Sequence, residues 1–247
     1  MVNNIKIEVC CGSINDCIIA EKCNADRIEL NQALELGGLT PSVATLTAAK
    51  KYTSIPICCM VKPRHIGSCY TEEEFEVIIA DAKNLIAHGA DGIVFGFLNS
   101  DGTIDEERTR KMVETIHPKE AIFNKTFDTT EDLEKSLQIL IDCGVDRVLT
   151  MGGSIYPDLE VGCKILGELI EKYGTQIEIL PGGGVQEHNV QEILSLTKAN
   201  QIHMTAKYMA SDPSRSLFRT KHEATEYFAV SESNLKAIMK KIAEFQQ

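Results

Sequence analysis

Read for alternating apolar and polar positions, the chain resolves into eight short runs rich in β-branched residues: "IKIEV", "DRIEL", "IPICCMV", "DGIVFGF", "AIFN", "DRVLT", "QIEIL" and "QIHMT". Between them lie segments whose apolar residues recur at helical spacing, such as "TEEEFEVIIADAKNLIAHG" and "TEDLEKSLQILIDCG". Thr71 before Glu72–Glu74, and Thr130 before Glu131 and Asp132, read as helix N-caps with an acidic first turn. Gly89 and Gly144 read as the stops of those two helices. A faint repeat, "NADRIEL", "GADGIVF", "GVDRVLT" and a weaker "ANQIHMT", marks every second run, as stacked βα units would. Units of about 31 residues suit a closed parallel barrel. An open doubly wound sheet is the competing architecture, but the first run lacks the GxGxxG turn of a dinucleotide fold. The expectation is an α/β chain folded as one (β/α)8 TIM-barrel domain over residues 1–247, with an irregular loop or lid at 206–230 and a C-terminal helix at 231–246.

Composition narrows the functional classes. With 25 Lys+Arg against 36 Asp+Glu, the formal net charge is −11, which speaks against nucleic-acid binding. Trp is absent and aromatics are 6%, so base-stacking platforms are poorly supplied. The N-terminus lacks the basic and apolar regions of a signal peptide, and no run reaches transmembrane length. A soluble cytoplasmic protein without a membrane partner is expected. The nine cysteines then read as small buried hydrophobes. No CxxC occurs, which argues against a tetrahedral zinc site.

Strand periodicity places the candidate chemistry. If Ile5, Ile7 and Val9 face the helices, then Lys6, Glu8 and Cys10 face the barrel interior. By the same rule Arg27, Glu29 and Asn31 point inward from the second strand, and Cys58, Met60, Lys62 and Arg64 from the third. Charge inside three neighbouring strands, with its last members at the carboxyl end, marks the end where barrel active sites sit. Lys6, Glu8, Arg27 and Glu29 have an alternative reading as ion pairs of the barrel floor. Later strand ends add Asn124, Lys125 and Asp128, the glycines of "LTMGG", then Gly182, Gly183 and Gly184 before a helix, and finally His203 and Thr205. Three glycines entering a helix make a nest of N–H donors for a phosphate or carboxylate.

In order and spacing, "EVC" (8–10), "ADRIEL" (25–30), "GGLTPS" (37–42), "MVKPR" (60–64), "GADGIVFG" (89–96), "FD" (127–128), "RVLTMGG" (147–153), "PGGG" (181–184) and His203 resemble the CutC family, named for copper homeostasis. The resemblance runs from about Ile5 to Thr205 and implies the same barrel. It also implies cytosolic copper handling, with a Cu(I)-binding cysteine at the end of each of the first two strands. The first falls on Cys10. The second falls on Asn31, where this chain reads "ELN" and the family Glu-Leu-Cys. An amide is a poor substitute for a soft sulfur, so Cu(I) binding should be weakened. Cys11 points to the opposite face and does not replace it. Other departures fall on the same rim. Asn124-Lys125 stands for the family's His-Arg, Lys62 for Arg, and His65–Ser68 for its Gly-Gly-Asp-Phe.

Three readings follow. The first is a CutC-like protein of copper homeostasis, with Cu(I) at Cys10. The second is an enzyme acting on a small anionic or phosphorylated substrate. There Lys62, Arg64 and Gly182–Gly184 would bind the anion and Glu8, Glu29 or Asp128 would serve as acid or base, with Lys62 or Lys125 a candidate Schiff-base amine. The third is an interaction protein with a vestigial site. A homo-oligomer is expected, and 206–230 is a candidate lid or subunit contact.

Overall fold

The computed structural model describes residues 1–153, 159–212 and 226–245. Strand β1 (Lys6–Cys11) leads to helix α1 (Ile14–Lys22), β2 (Arg27–Leu30) to α2 (Val43–Tyr52), β3 (Ile57–Met60) to α3 (Glu72–Ala87), and β4 (Gly92–Phe95) to α4 (Glu106–Ile116). The second half repeats the order with β5 (Glu120–Phe123), α5 (Leu133–Asp142), β6 (Arg147–Thr150), α6 (Leu159–Tyr173), β7 (Glu178–Pro181), α7 (Val190–Thr197) and β8 (Gln201–Met204). The eight strands are parallel and ordered β7-β6-β5-β4-β3-β2-β1-β8, and an isolated parallel bridge between Gly182 and His203 brings β8 beside the end of β7. This is the (β/α)8 barrel that the alternation predicts. Among the described residues no helix is long and apolar enough to cross a membrane.

The strands keep the expected register. Ile7, Val9 and Cys11, Ile28 and Leu30, and Ile57 and Cys59 pack in the main core between sheet and helices. Each fully buried aliphatic side chain there contributes about 1.5–3 kcal/mol of transfer free energy. Cys58, Met60, Val94 and Ile122 form a separate small cluster inside the barrel. The faint repeat has a structural cause. Asp26, Asp91 and Asp146, at the feet of β2, β4 and β6, accept hydrogen bonds from the backbone N–H of Ile7 (2.9 Å), Ile57 (2.8 Å) and Ala121 (2.8 Å). Each carboxylate thus ties down the start of the preceding strand, where a ladder partner is missing.

Two local expectations are corrected. Thr71 does cap α3, in a full capping box with Glu74. Thr130, however, ends a short 3₁₀ turn (Lys125–Thr129), and Asp132 caps α5 by accepting from Lys135 N–H. The segment 206–230 is not wholly irregular either. Its ends form an antiparallel pair, β9 (Lys207–Ser211) and β10 (Glu226–Val230), in which Ala210 and Ala229 are buried while their cross-strand partners Tyr227 and Tyr208 are exposed. The rest of that segment, 213–225, lies outside the described residues. Helix α8 (Glu232–Glu244) is the expected C-terminal helix.

Candidate functional site

The lower half of the barrel interior is a charged layer. Arg147, fully buried, donates to Glu178 (2.7 Å) and Glu120 (3.0 Å), and Arg27 donates to Glu8 and to Gln201 (3.3 Å). Lys6 reaches Glu178 at 3.8 Å on the exposed floor. The floor reading therefore holds for Lys6, Glu8 and Arg27. Glu29 belongs to the level above.

That upper level follows from the strand register, in which Glu8 lies beside Arg27 on one side and His203 on the other, and Cys10 lies beside Glu29. His203 Nδ1 sits 2.7 Å from Glu8 Oε1, leaving Nε2 turned toward Glu29 Oε2 at 3.9 Å. Asn31 Nδ2 donates to Glu29 Oε2 (2.9 Å) and lies 3.4 Å from Cys10 Sγ. The donor atoms of Cys10, Glu29 and His203 lie within 4.8 Å of one another. Burial pushes the Glu8 carboxyl up, but the Arg27 guanidinium and the His203 hydrogen bond outweigh it and hold Glu8 well below the usual carboxylate range. Burial depresses His203, but the Glu29 and Glu8 carboxylates raise it on balance, favouring the imidazolium. Burial, with Glu29 beside it, pushes the Cys10 thiol up, which favours the protonated sulfur.

These side chains open into a cavity of about 1090 Å³ at the carboxyl ends of the strands. Cys10, Glu29, Asn31, Lys62, Asn124, Lys125, Gly183, Gly184 and His203 line it, as does Thr205. Among the described residues no carboxylate lies within 4.0 Å of the amine of Lys62 or Lys125. Burial, reinforced by Arg64, lowers the Lys62 amine from its ordinary value. Two glycines shape the wall. Gly38, of "GGLTPS", has φ +82 and any Cβ there would collide with Asn31 Oδ1; Gly183 has φ +117 and would bring one to 2.8 Å from Lys125 Nζ. The loop after β2 thus lies directly over Asn31, and the glycine turn after β7 directly against Lys125.

Four expected site residues are placed differently. Glu8 is beneath His203, engaged with Arg27, and does not line the cavity. Gly182 lies beside His203, bridged to β8, and does not line the cavity. Arg64 turns outward: Pro63 ends the inward alternation, and Arg64 donates to Glu74 of α3 (2.6 Å) and to the carbonyls of Ile66 and Cys69, with its guanidinium 4.9 Å from the Tyr70 ring centre. Asp128 is saturated by donors. It accepts from Thr150 Oγ1 (2.5 Å), Met151 N–H and Gly153 N–H (3.0 Å), and fastens the turn after β6. Burial raises its carboxyl despite those bonds. Conversely, Asn234, Ile238 and Lys241 of α8 and Lys207 of β9 add to the rim unforeseen. The spacing 234, 238, 241 on one helical face was the available signal.

Comparison with known proteins agrees with the motifs. A family model described as the CutC family matches residues 5–208. A CutC family protein of Treponema denticola is 43% identical over 213 residues, covering 86% of each chain. The human copper homeostasis protein cutC homolog is 37% identical over 205 residues, 83% of this chain and 74% of that one. The crystal structure of a CutC from Streptococcus agalactiae superposes with a TM-score of 0.76 at 29% identity, over 81% of this chain and 97% of that one. A 3-hexulose-6-phosphate synthase from Salmonella typhimurium reaches a TM-score of 0.61 at 14% identity over 98% of this chain and all of that one (100%), a likeness of fold alone. The chain belongs to the CutC family.

Proposed function

We propose that the chain serves copper homeostasis, the role in the names of its human and mouse relatives, and that it meets Cu(I) at Cys10 more weakly than a paired-thiol site would. One observation carries this reading: the Asn31 amide lies 3.4 Å from Cys10 Sγ, where the resemblance to the family implies a second thiol. Cu(I) favours two or three sulfur ligands. Here one thiol remains, with His203 Nε2 as the next softest donor in the group. All nine cysteines are free, which suits a reducing cytoplasm. Anaerobic titration of the reduced protein with Cu(I), against a competing chelator, tests the reading. Weak binding abolished by Cys10→Ser is the expected result, and binding that survives Cys10→Ser overturns it.

A second reading, an enzyme acting on a small anionic or phosphorylated substrate, draws on the lysines. Lys62 and Lys125 face the cavity with no carboxylate within 4.0 Å among the described residues, and Lys125 stands against the Gly183 turn. Backbone donors and an ammonium together suit an anion.

A further inference from the structure

We propose that Cys10, Glu29 and His203 are the three protein ligands of a borderline divalent cation, Zn²⁺ by the chemistry of the set, with a fourth position open to the cavity. The inference goes beyond the copper reading and does not depend on it. A thiolate, an imidazole and a carboxylate suit zinc, whereas Cu(I) selects sulfur and Mg²⁺ or Ca²⁺ select oxygen. The thiolate and carboxylate also balance the two charges of the ion. The missing CxxC argues only against ligands close in sequence; here three strands deliver one donor each, and the register sets Cys10 beside Glu29.

The spacing is close to what the ion needs. Tetrahedral bonds of about 2.0–2.3 Å put donor atoms about 3.3–3.7 Å apart. His203 Nε2 and Glu29 Oε2, at 3.9 Å, need to approach by only a few tenths of an ångström, and no pair of the three exceeds 4.8 Å. The supporting contacts are those of a built site. His203 Nδ1 is engaged by Glu8, which Arg27 anchors, so Nε2 is the nitrogen left for a metal. Asn31 holds the other two ligands through its 2.9 Å bond to Glu29 and its 3.4 Å contact with Cys10. The residue that removes the second sulfur thereby becomes a positioning residue for a mixed-donor site. Binding releases the thiol proton, and that of His203 Nε2 when the ring is charged, to solvent. The ion takes no part in redox chemistry.

The test is anaerobic titration of the reduced, metal-free full-length protein with Co²⁺, then Zn²⁺. One equivalent of Co²⁺ should produce intense four-coordinate d–d bands and a near-ultraviolet thiolate-to-cobalt charge-transfer band, bleached by one equivalent of Zn²⁺. The charge-transfer band should vanish in Cys10→Ser, and affinity should fall at least tenfold in Glu29→Gln and His203→Gln. Glu29→Gln keeps the side chain's shape, so it decides the matter if His203→Gln fails to fold. Absence of the band in the unaltered protein, its survival in Cys10→Ser, or an affinity unmoved by Glu29→Gln overturns the inference. Parallel Cu(I) titration separates the two readings. Cu(I) bound through Cys10 with no cobalt signal defeats zinc and leaves copper, and the reverse defeats copper alone.

Discussion

Replacing Glu8 by glutamine exchanges one oxygen for an NH₂ and removes one charge, and its consequences can be worked through the barrel. Glu8 accepts from Arg27 Nε with one oxygen and pairs with His203 Nδ1 through the other, all three residues being buried. A glutamine has a single acceptor oxygen. If that oxygen stays with Arg27, its NH₂ faces His203 Nδ1, forcing the neutral tautomer with the proton on Nε2. The guanidinium meanwhile keeps only neutral partners, the introduced amide and Gln201. Breaking a buried pair costs about 3–5 kcal/mol, and the retained hydrogen bond puts this variant near about 3 kcal/mol. Denaturant unfolding should therefore show a lower midpoint at unchanged slope, with Tm falling by roughly 6–12 °C for a chain of this size. The pH profile gives an independent signature. Glu8 is depressed in the folded state, so its contribution is present above about pH 4.3 and lost on acidification. His203 is raised, so its contribution is complete below about pH 6.5 and lost as pH rises through its folded value. Both slopes should flatten in Glu8→Gln. A loss below about 0.5 kcal/mol, or an unchanged profile, refutes the idea that Glu8 joins floor and site.

Two further outcomes follow from the residues that the structure moved off the cavity. Asp128→Ala leaves the Thr150 hydroxyl and the Met151 and Gly153 N–H groups without their acceptor, and should cost about 3–5 kcal/mol in chemical denaturation; a loss under about 1 kcal/mol would show that water takes over. Phosphate, if it binds, should raise Tm in the unaltered protein and in Arg64→Ala alike but not in Lys125→Ala, because Arg64 is engaged with Glu74 outside the cavity. The Arg64 ion pair is exposed, so its removal should cost no more than about 1 kcal/mol. Loss of the phosphate effect in Arg64→Ala would contradict that placement.

The barrel was legible because period-two alternation and helix-period segments agree along nearly the whole chain. The same alternation brought out Glu8, Cys10, Glu29, Asn31 and His203, since a strand's register determines which face each residue takes. It failed where strands end. Arg64 continues the inward parity on paper, but β3 already ends at Met60 and Pro63 follows, and Glu74 in the first turn of α3 supplies a partner that no local pattern reveals. Asp128 follows the fifth apolar run as a catalytic acid would, yet it lies in the 3₁₀ turn after β5, where the end of β6 and the turn beyond it supply the donors that consume it. Thr130 and Asp132 are both good caps, and the 3₁₀ turn decides between them. The repeat's aspartates were visible as a pattern without a cause, because the N–H each one accepts belongs to a neighbouring strand.

The proposed function turns on Asn31 standing in the place of a second copper ligand beside Cys10. Asn31→Cys tests it most directly, with Cu(I) affinity measured anaerobically against a competing chelator for the unaltered protein and the variant. At least tenfold tighter binding is expected, about 1.4 kcal/mol, since a thiol would stand where the amide now lies 3.4 Å from Cys10 Sγ. Unchanged affinity in Asn31→Cys would contradict it.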